Sequence, residues 1–190
     1  ACSRLGVTCR EVHIVATGGE CKELLIWMDR EWAGEYTITA VELPSGYPDM
    51  APATFSFCSS EEKIATASTR PRNDVMLPSR DTLLSSRTES RDLFLFEPGK
   101  ALMKAGCFNL RANHFGLMKL GVSTHYYVTE SAAKADELKP YGKVYMILSA
   151  QPLDKRSIKA AGAAYPRAEV TARNIPMDTD TLRRKLGVAS

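Results

Sequence analysis

Histidine is scarce in this chain: 190 residues hold three, His13, His114 and His125. The five cysteines, Cys2, Cys9, Cys21, Cys58 and Cys107, are odd in number and none stands in C-x-x-C spacing. So few ligands at such spacings predict no metal site, and reduced thiols in the cytoplasm are the simpler reading. There is no G-x-S-x-G, no P-loop and no H-E-x-x-H, and no glycine-rich turn between a strand and a helix. The expected catalytic residues, cofactor-binding residues and metal ligands in this chain are therefore none. No apolar run reaches the roughly 18 residues that span a bilayer, so no membrane partner is expected. The opening ACSRLGVTCREVHIVA lacks the apolar core of a signal peptide. It also lacks an initiator Met, and both ends read as cut from something longer.

What is present suits one large domain or two small ones. Hydrophobic residues make up 44% of the chain, enough for a core. The formal net charge of +3 hides an asymmetry: residues 1–62 carry four bases against ten acids, and residues 63–190 carry 21 against 12. A basic second half suits an anionic partner such as nucleic acid, and suits a solvated lysine-rich surface equally well.

Taken in order, Glu11 to Ala16 alternates, with Val12, Ile14 and Ala16 on one face. Thr17-Gly18-Gly19-Glu20 is a turn, and Lys22 to Met28 a second strand containing LLIWM, so the pair reads as a hairpin. Tyr36 to Leu43 and Thr54 to Cys58 add two strands, giving an antiparallel or mixed sheet over residues 11–58. Residues 59–90 change character: seven Ser, four Thr and four Arg in 32 positions read as a mobile linker and a domain boundary. Leu93 to Phe96 is a short apolar run. Pro98 suits a first helical turn, and a helix is predicted from Gly99 to His114 or Phe115. Thr124 to Thr129 is a strand, and residues 130–142 a polar connection.

From Lys143 to Gly187 the pattern is strand, helix, strand, helix: Val144 to Leu148, Leu153 to Ala164, Glu169 to Arg173, then a helix opened by Asp178 and stopped by Gly187. Residues 144–173 have the minimum length for a right-handed crossover. The second half thus reads as a small α/β or α+β domain.

Few residues invite a chemical role. Cys107 and His114 lie seven apart on one predicted helix, about 10 Å, too far for a thiolate–imidazole pair. His125, Tyr126 and Tyr127 offer a stacking surface for a base, or ordinary packing; only alternate strand residues share a face. Lys100, Lys104 and Arg111 share a flank of the predicted helix. Arg183, Arg184 and Lys185 form the densest basic cluster in the chain. They suit phosphate contacts, and they equally complement a helix dipole.

Three segments carry a family resemblance. Leu95-Phe96-Glu97-Pro98 leading into Leu102-Met103-Lys104-Ala105-Gly106 resembles a motif in the C-terminal region of certain bacterial class I S-adenosylmethionine-dependent methyltransferases with a THUMP-like C-terminal domain. Val170 to Pro176 followed by Leu182 to Leu186 is similar to that domain's closing strand and helix. Glu11 to Val15 followed by Gly19 to Leu25 looks like the last two strands of the methyltransferase sheet.

The resemblance implies an α/β (α+β) chain: residues 1–58 as terminal strands of a Rossmann-like methyltransferase domain, 59–90 as linker, and 91–190 as a THUMP-like domain. It further implies the C-terminal substrate-recognition portion of a cytoplasmic RNA-modifying methyltransferase, not catalytic alone. S-adenosyl-L-methionine would be bound outside this chain. The partners would be RNA and the N-terminal methyltransferase domain of the same parent chain. The nucleic-acid contacts it suggests are Lys100, Lys104, Arg111, Arg173, Arg183, Arg184 and Lys185. The alternative is a protein-interaction or structural module covering the methyltransferase domain.

Overall fold

The structure, a computed structural model, describes residues 8–44, 51–61, 92–106, 114–121, 124–173 and 175–189. The fold is α+β, with two four-stranded sheets and several helices.

The first sheet follows the alternation in the sequence. Strands β1 (Cys9–Thr17) and β2 (Glu20–Met28) form the expected hairpin. Its turn is Gly18-Gly19, whose φ values of 58° and 79° are those that glycine adopts without a Cβ penalty. Strands β3 (Thr37–Leu43) and β4 (Ala53–Cys58) complete the order β2-β1-β3-β4. β1 and β3 run parallel while the other pairs are antiparallel, so the sheet is mixed. Val12, Ile14 and Ala16 are buried, and Ile38, Ala40, Phe55 and Phe57 extend that apolar face across β3 and β4.

The second sheet contains β5 (Phe94–Pro98), β6 (Met118–Lys119), β7 (Tyr127–Thr129) and β8 (Gly142–Met146), in the order β6-β7-β5-β8 with all pairs antiparallel. Helix α1 (Lys100–Ala105) buries Ala101, Leu102 and Ala105, and α2 (Ala132–Leu138) buries Ala135 and Leu138. One core joins these elements: Val12, Ile38 and Phe55 from the first sheet, Phe96 and Tyr127 from the second, Leu102 from α1 and Leu138 from α2.

Residues 1–147 form one compact unit and residues 148–190 a second. The second holds α3 (Lys155–Ala164) and α4 (Thr179–Leu186) around a small core of Val170, Leu182 and Val188. The division falls between Ile147 and Leu148, whereas the Ser/Thr-rich boundary expected at 59–90 lies almost wholly outside the described residues.

Several expectations need correction. The helix predicted from Gly99 to His114 or Phe115 stops at Gly106, whose φ of 80° ends α1 after six residues. Pro98 closes β5 opposite Gly142 and does not open the helix. Glu169 to Arg173 is not a strand. A strand exists only where a neighbour takes its hydrogen bonds. Here the described pairing is a single parallel bridge, Arg167 with Ala189. No crossover therefore joins residues 144–173: β8 pairs with β5. The polar connection at 130–142 contains α2, whose N-cap Ser131 accepts a hydrogen bond from the Lys134 amide.

Candidate nucleic-acid interface

The second unit is where basic side chains gather. Residues 148–190 carry eight Lys and Arg against four Asp and Glu. Each helix has an aspartate N-cap: Asp154 accepts from the Ser157 amide and Asp178 from the Thr181 amide, both at 2.8 Å. These bonds to the charged carboxylates, foremost among the causes, hold both aspartates below the usual carboxylate range. Gly187, at φ 69°, ends α4, and its amide donates to the Arg183 carbonyl at 2.9 Å.

α4 distributes its three bases around its axis. At about 100° per residue, Arg183 and Lys185 flank the stripe formed by Leu182 and Leu186, and Arg184 stands opposite it. Exposure agrees: Leu182 is buried, Arg183 half-buried, Arg184 and Lys185 exposed. Arg183 pairs with Asp180 at 3.2 Å, and Arg184 donates to Thr181 Oγ1 at 3.2 Å. These contacts hold two guanidinium groups over the preceding turn. Lys185 has no ion-pair partner among the described residues. All three bases lie in the last turn, where they also offset the helix dipole.

α3 adds bases absent from the sequence-based expectation. Lys155, Arg156 and Lys159 are all exposed. Lys155 and Lys159 are four apart and so stack one turn above the other. α3 meets α4 at Gly162, where an added methyl would overlap the Leu186 carbonyl oxygen. Gly162 thus lets the backbone of α3 approach the C-terminal end of α4, which carries the basic cluster. The signal available in the sequence was the run Asp154-Lys155-Arg156, a cap followed by bases. Arg173 is exposed, in the irregular stretch before α4.

Lys100 and Lys104 belong to the first unit. Both are exposed and lie one turn apart on α1, away from buried Ala101, Leu102 and Ala105. Arg111 lies outside the described residues. The alternative stacking surface is not formed as a set: Tyr127 is fully buried, its ring 6.3 Å from Phe96. Cys107 also lies outside the described residues, and the His114 ring packs edge-on against Phe55 and Phe115.

Residues that would hold S-adenosylmethionine are not recognisable among those described. The turn from β5 into α1 carries one glycine, Gly99, and Glu42 already accepts the Ala101 amide there at 2.7 Å. Gly18-Gly19 joins two antiparallel strands. Neither turn fits the cofactor. No described helix is long and apolar enough to cross a membrane.

Residues 94–135 match the family model of a ferredoxin-like domain, and residues 142–190 match that of a THUMP domain-like family. The THUMP-like match lies inside the 91–190 expected from sequence. Among curated proteins, none matches the chain. Among solved structures, the chain is similar to the crystal structure of a putative methyltransferase from Porphyromonas gingivalis W83, with a TM-score of 0.71 and 27% sequence identity. The match covers 96% of this chain and spans 40% of the neighbour's length. The chain thus carries a THUMP-like segment, and its fold is similar to part of a protein described as a putative methyltransferase.

Proposed function

We propose that this chain is the substrate-recognition portion, C-terminal in its parent, of an S-adenosylmethionine-dependent methyltransferase of the bacterial class I type, and that it presents RNA to a catalytic domain elsewhere in that polypeptide. The observation that carries the reading is the exposed basic surface of α3 and α4 inside the THUMP-like segment. The methyltransferase neighbour supports it, since this chain corresponds to 40% of that protein. THUMP domains are associated with RNA-modifying enzymes. In this proposal residues 1–58 are the terminal strands of the Rossmann-like domain and 59–90 the linker. The cofactor sits outside the chain, and the protein works in the cytoplasm.

Phosphate contacts would come from Lys155, Lys159, Arg184 and Lys185, with Arg173 and Arg183 beside them. Lys100 and Lys104 form a separate candidate patch in the first unit. Each phosphate neutralised by a base releases counterions, so affinity falls steeply with salt. The test is titration of the chain with a structured RNA at low and moderate salt. Reversal of Arg184 and Lys185 to Glu should weaken binding at least tenfold and flatten the salt dependence by about one unit of slope for each lost phosphate contact. Undetectable RNA binding at low salt sinks the proposal. Unchanged affinity in the double variant returns both residues to the role of dipole complement.

A further inference from the structure

The second unit exposes three large apolar side chains, Leu148, Leu153 and Tyr165. The two leucines precede the N-terminal end of α3. Tyr165 stands at the other end, as the C-cap, and is 46% exposed. Of the three, only Tyr165 offers a π face. Among the described residues no aromatic ring and no cation stacks on it. Tyr127, by contrast, is fully buried, and the Tyr141 ring lies 5.3 Å from that of Phe115.

Backbone bonds hold Tyr165 in place. Its amide donates to the Ala161 carbonyl at 2.9 Å. The next carbonyl, that of Pro166, accepts the Ala189 amide at 3.0 Å, and the Ala168 amide donates to the Ala189 carbonyl at 3.2 Å. The pyrrolidine ring of Pro166 fixes its own φ as well. An aromatic ring on a clamped backbone loses little freedom when a ligand covers it.

The same bonds fix where the ring stands. Ala189 lies just beyond Gly187, the C-cap of α4. Gly162, three residues before Tyr165, lies against the Leu186 carbonyl. Two independent contacts thus bring the Tyr165 end of α3 to the end of α4 that carries Arg184 and Lys185. Exposed Arg167 follows Pro166. An aromatic face among bases is the combination that holds unpaired nucleic acid: a base stacks on the ring and the cations take the phosphates. A blunt duplex offers such a ring nothing along its length, because its bases are already stacked on one another.

We propose that Tyr165 is a base-stacking residue, and that the RNA this unit recognises carries an unpaired nucleotide there, with Arg167, Arg184 and Lys185 on the flanking phosphates. The proposal rests on the reading of α3 and α4 as an RNA-binding surface, and narrows the ligand to RNA with an exposed base. The experiment uses the 190-residue chain and two probes with equal numbers of phosphates. One is a single-stranded oligoribonucleotide with 2-aminopurine at each position in turn, the other a blunt RNA duplex. Binding should quench 2-aminopurine at one position or a few neighbouring ones, and Tyr165→Phe should preserve the quenching. Tyr165→Leu should lose it and weaken single-strand binding about tenfold. Duplex affinity and the salt slope should stay unchanged in that variant, because no phosphate contact is removed. Unchanged single-strand affinity in Tyr165→Leu, or an equal loss on the duplex, overturns the proposal; salt-sensitive binding that persists in either case leaves the RNA reading standing. An oligonucleotide bound without quenching at any position also overturns it, and that result needs no variant to fold. Undetectable binding of both probes at low salt overturns the RNA reading, and this proposal with it.

Discussion

At the scale of single residues, Glu42 shows how a carboxylate is used inside the first unit. It stands near the end of β3 and accepts the Ala101 amide at the start of α1. Burial, the largest influence, pushes its pKa up, and hydrogen bonds from the Ala101 and Leu102 amides oppose that rise. A carboxyl group raised in the folded state favours folding at low pH. Its contribution is fully present below the unfolded value near 4.5 and is lost as pH rises through the elevated folded pKa. Glu42→Gln keeps an acceptor and removes the titration. The variant should therefore lose stability less steeply than the parent as pH rises above the unfolded value near 4.5, measured as urea midpoints across a pH series. Parallel pH profiles for the two proteins would refute this account. Nothing in the sequence pointed to Glu42: its partner lies 59 residues away.

At the scale of elements, the α3–α4 crossing depends on a position without a side chain. Gly162→Ala in an isolated helix would gain about 1 kcal/mol of propensity. Here the added methyl meets the Leu186 backbone carbonyl, which cannot turn aside as a side chain tip can. Overpacking costs about 1–3 kcal/mol, so the crossing outweighs the propensity. Gly162→Ala should lower the melting temperature of the second unit, followed by the exchange of α4 amides; a rise would show that the helices part at no cost.

Elements legible in the sequence were those specified locally. The β1–β2 hairpin followed from alternation and Gly18-Gly19, and α4 followed from Asp178, its two leucines and Gly187. The strand expected at Glu169–Arg173 failed because pairing is a property of the neighbour, and alternation alone cannot supply one. α2 is not legible because residues 130–142 read as a polar connection, although Ser131 is a competent N-cap. Of the basic cluster, the positions were legible, while the separation of Arg183 and Lys185 to opposite flanks required the helix and its buried stripe.

At the scale of the whole molecule, the two units are unequal. The first closes a core over two sheets and two helices. The second has three buried apolar side chains, Val170, Leu182 and Val188, with partly buried neighbours around them. A unit of 43 residues buries too little surface to be strongly stable alone. Native-state hydrogen exchange should show α3 and α4 opening at lower free energy than β1 and β3, by at least about 1 kcal/mol; a common opening energy would mean that the chain unfolds as one. The chain also carries a built-in optical reporter. Its two tryptophans, Trp27 and Trp32, both stack on the Arg10 guanidinium, at 5.3 and 5.2 Å. All indole emission therefore originates at one corner beside β2, and an arriving molecule there would announce itself as a change in colour or quenching without any label.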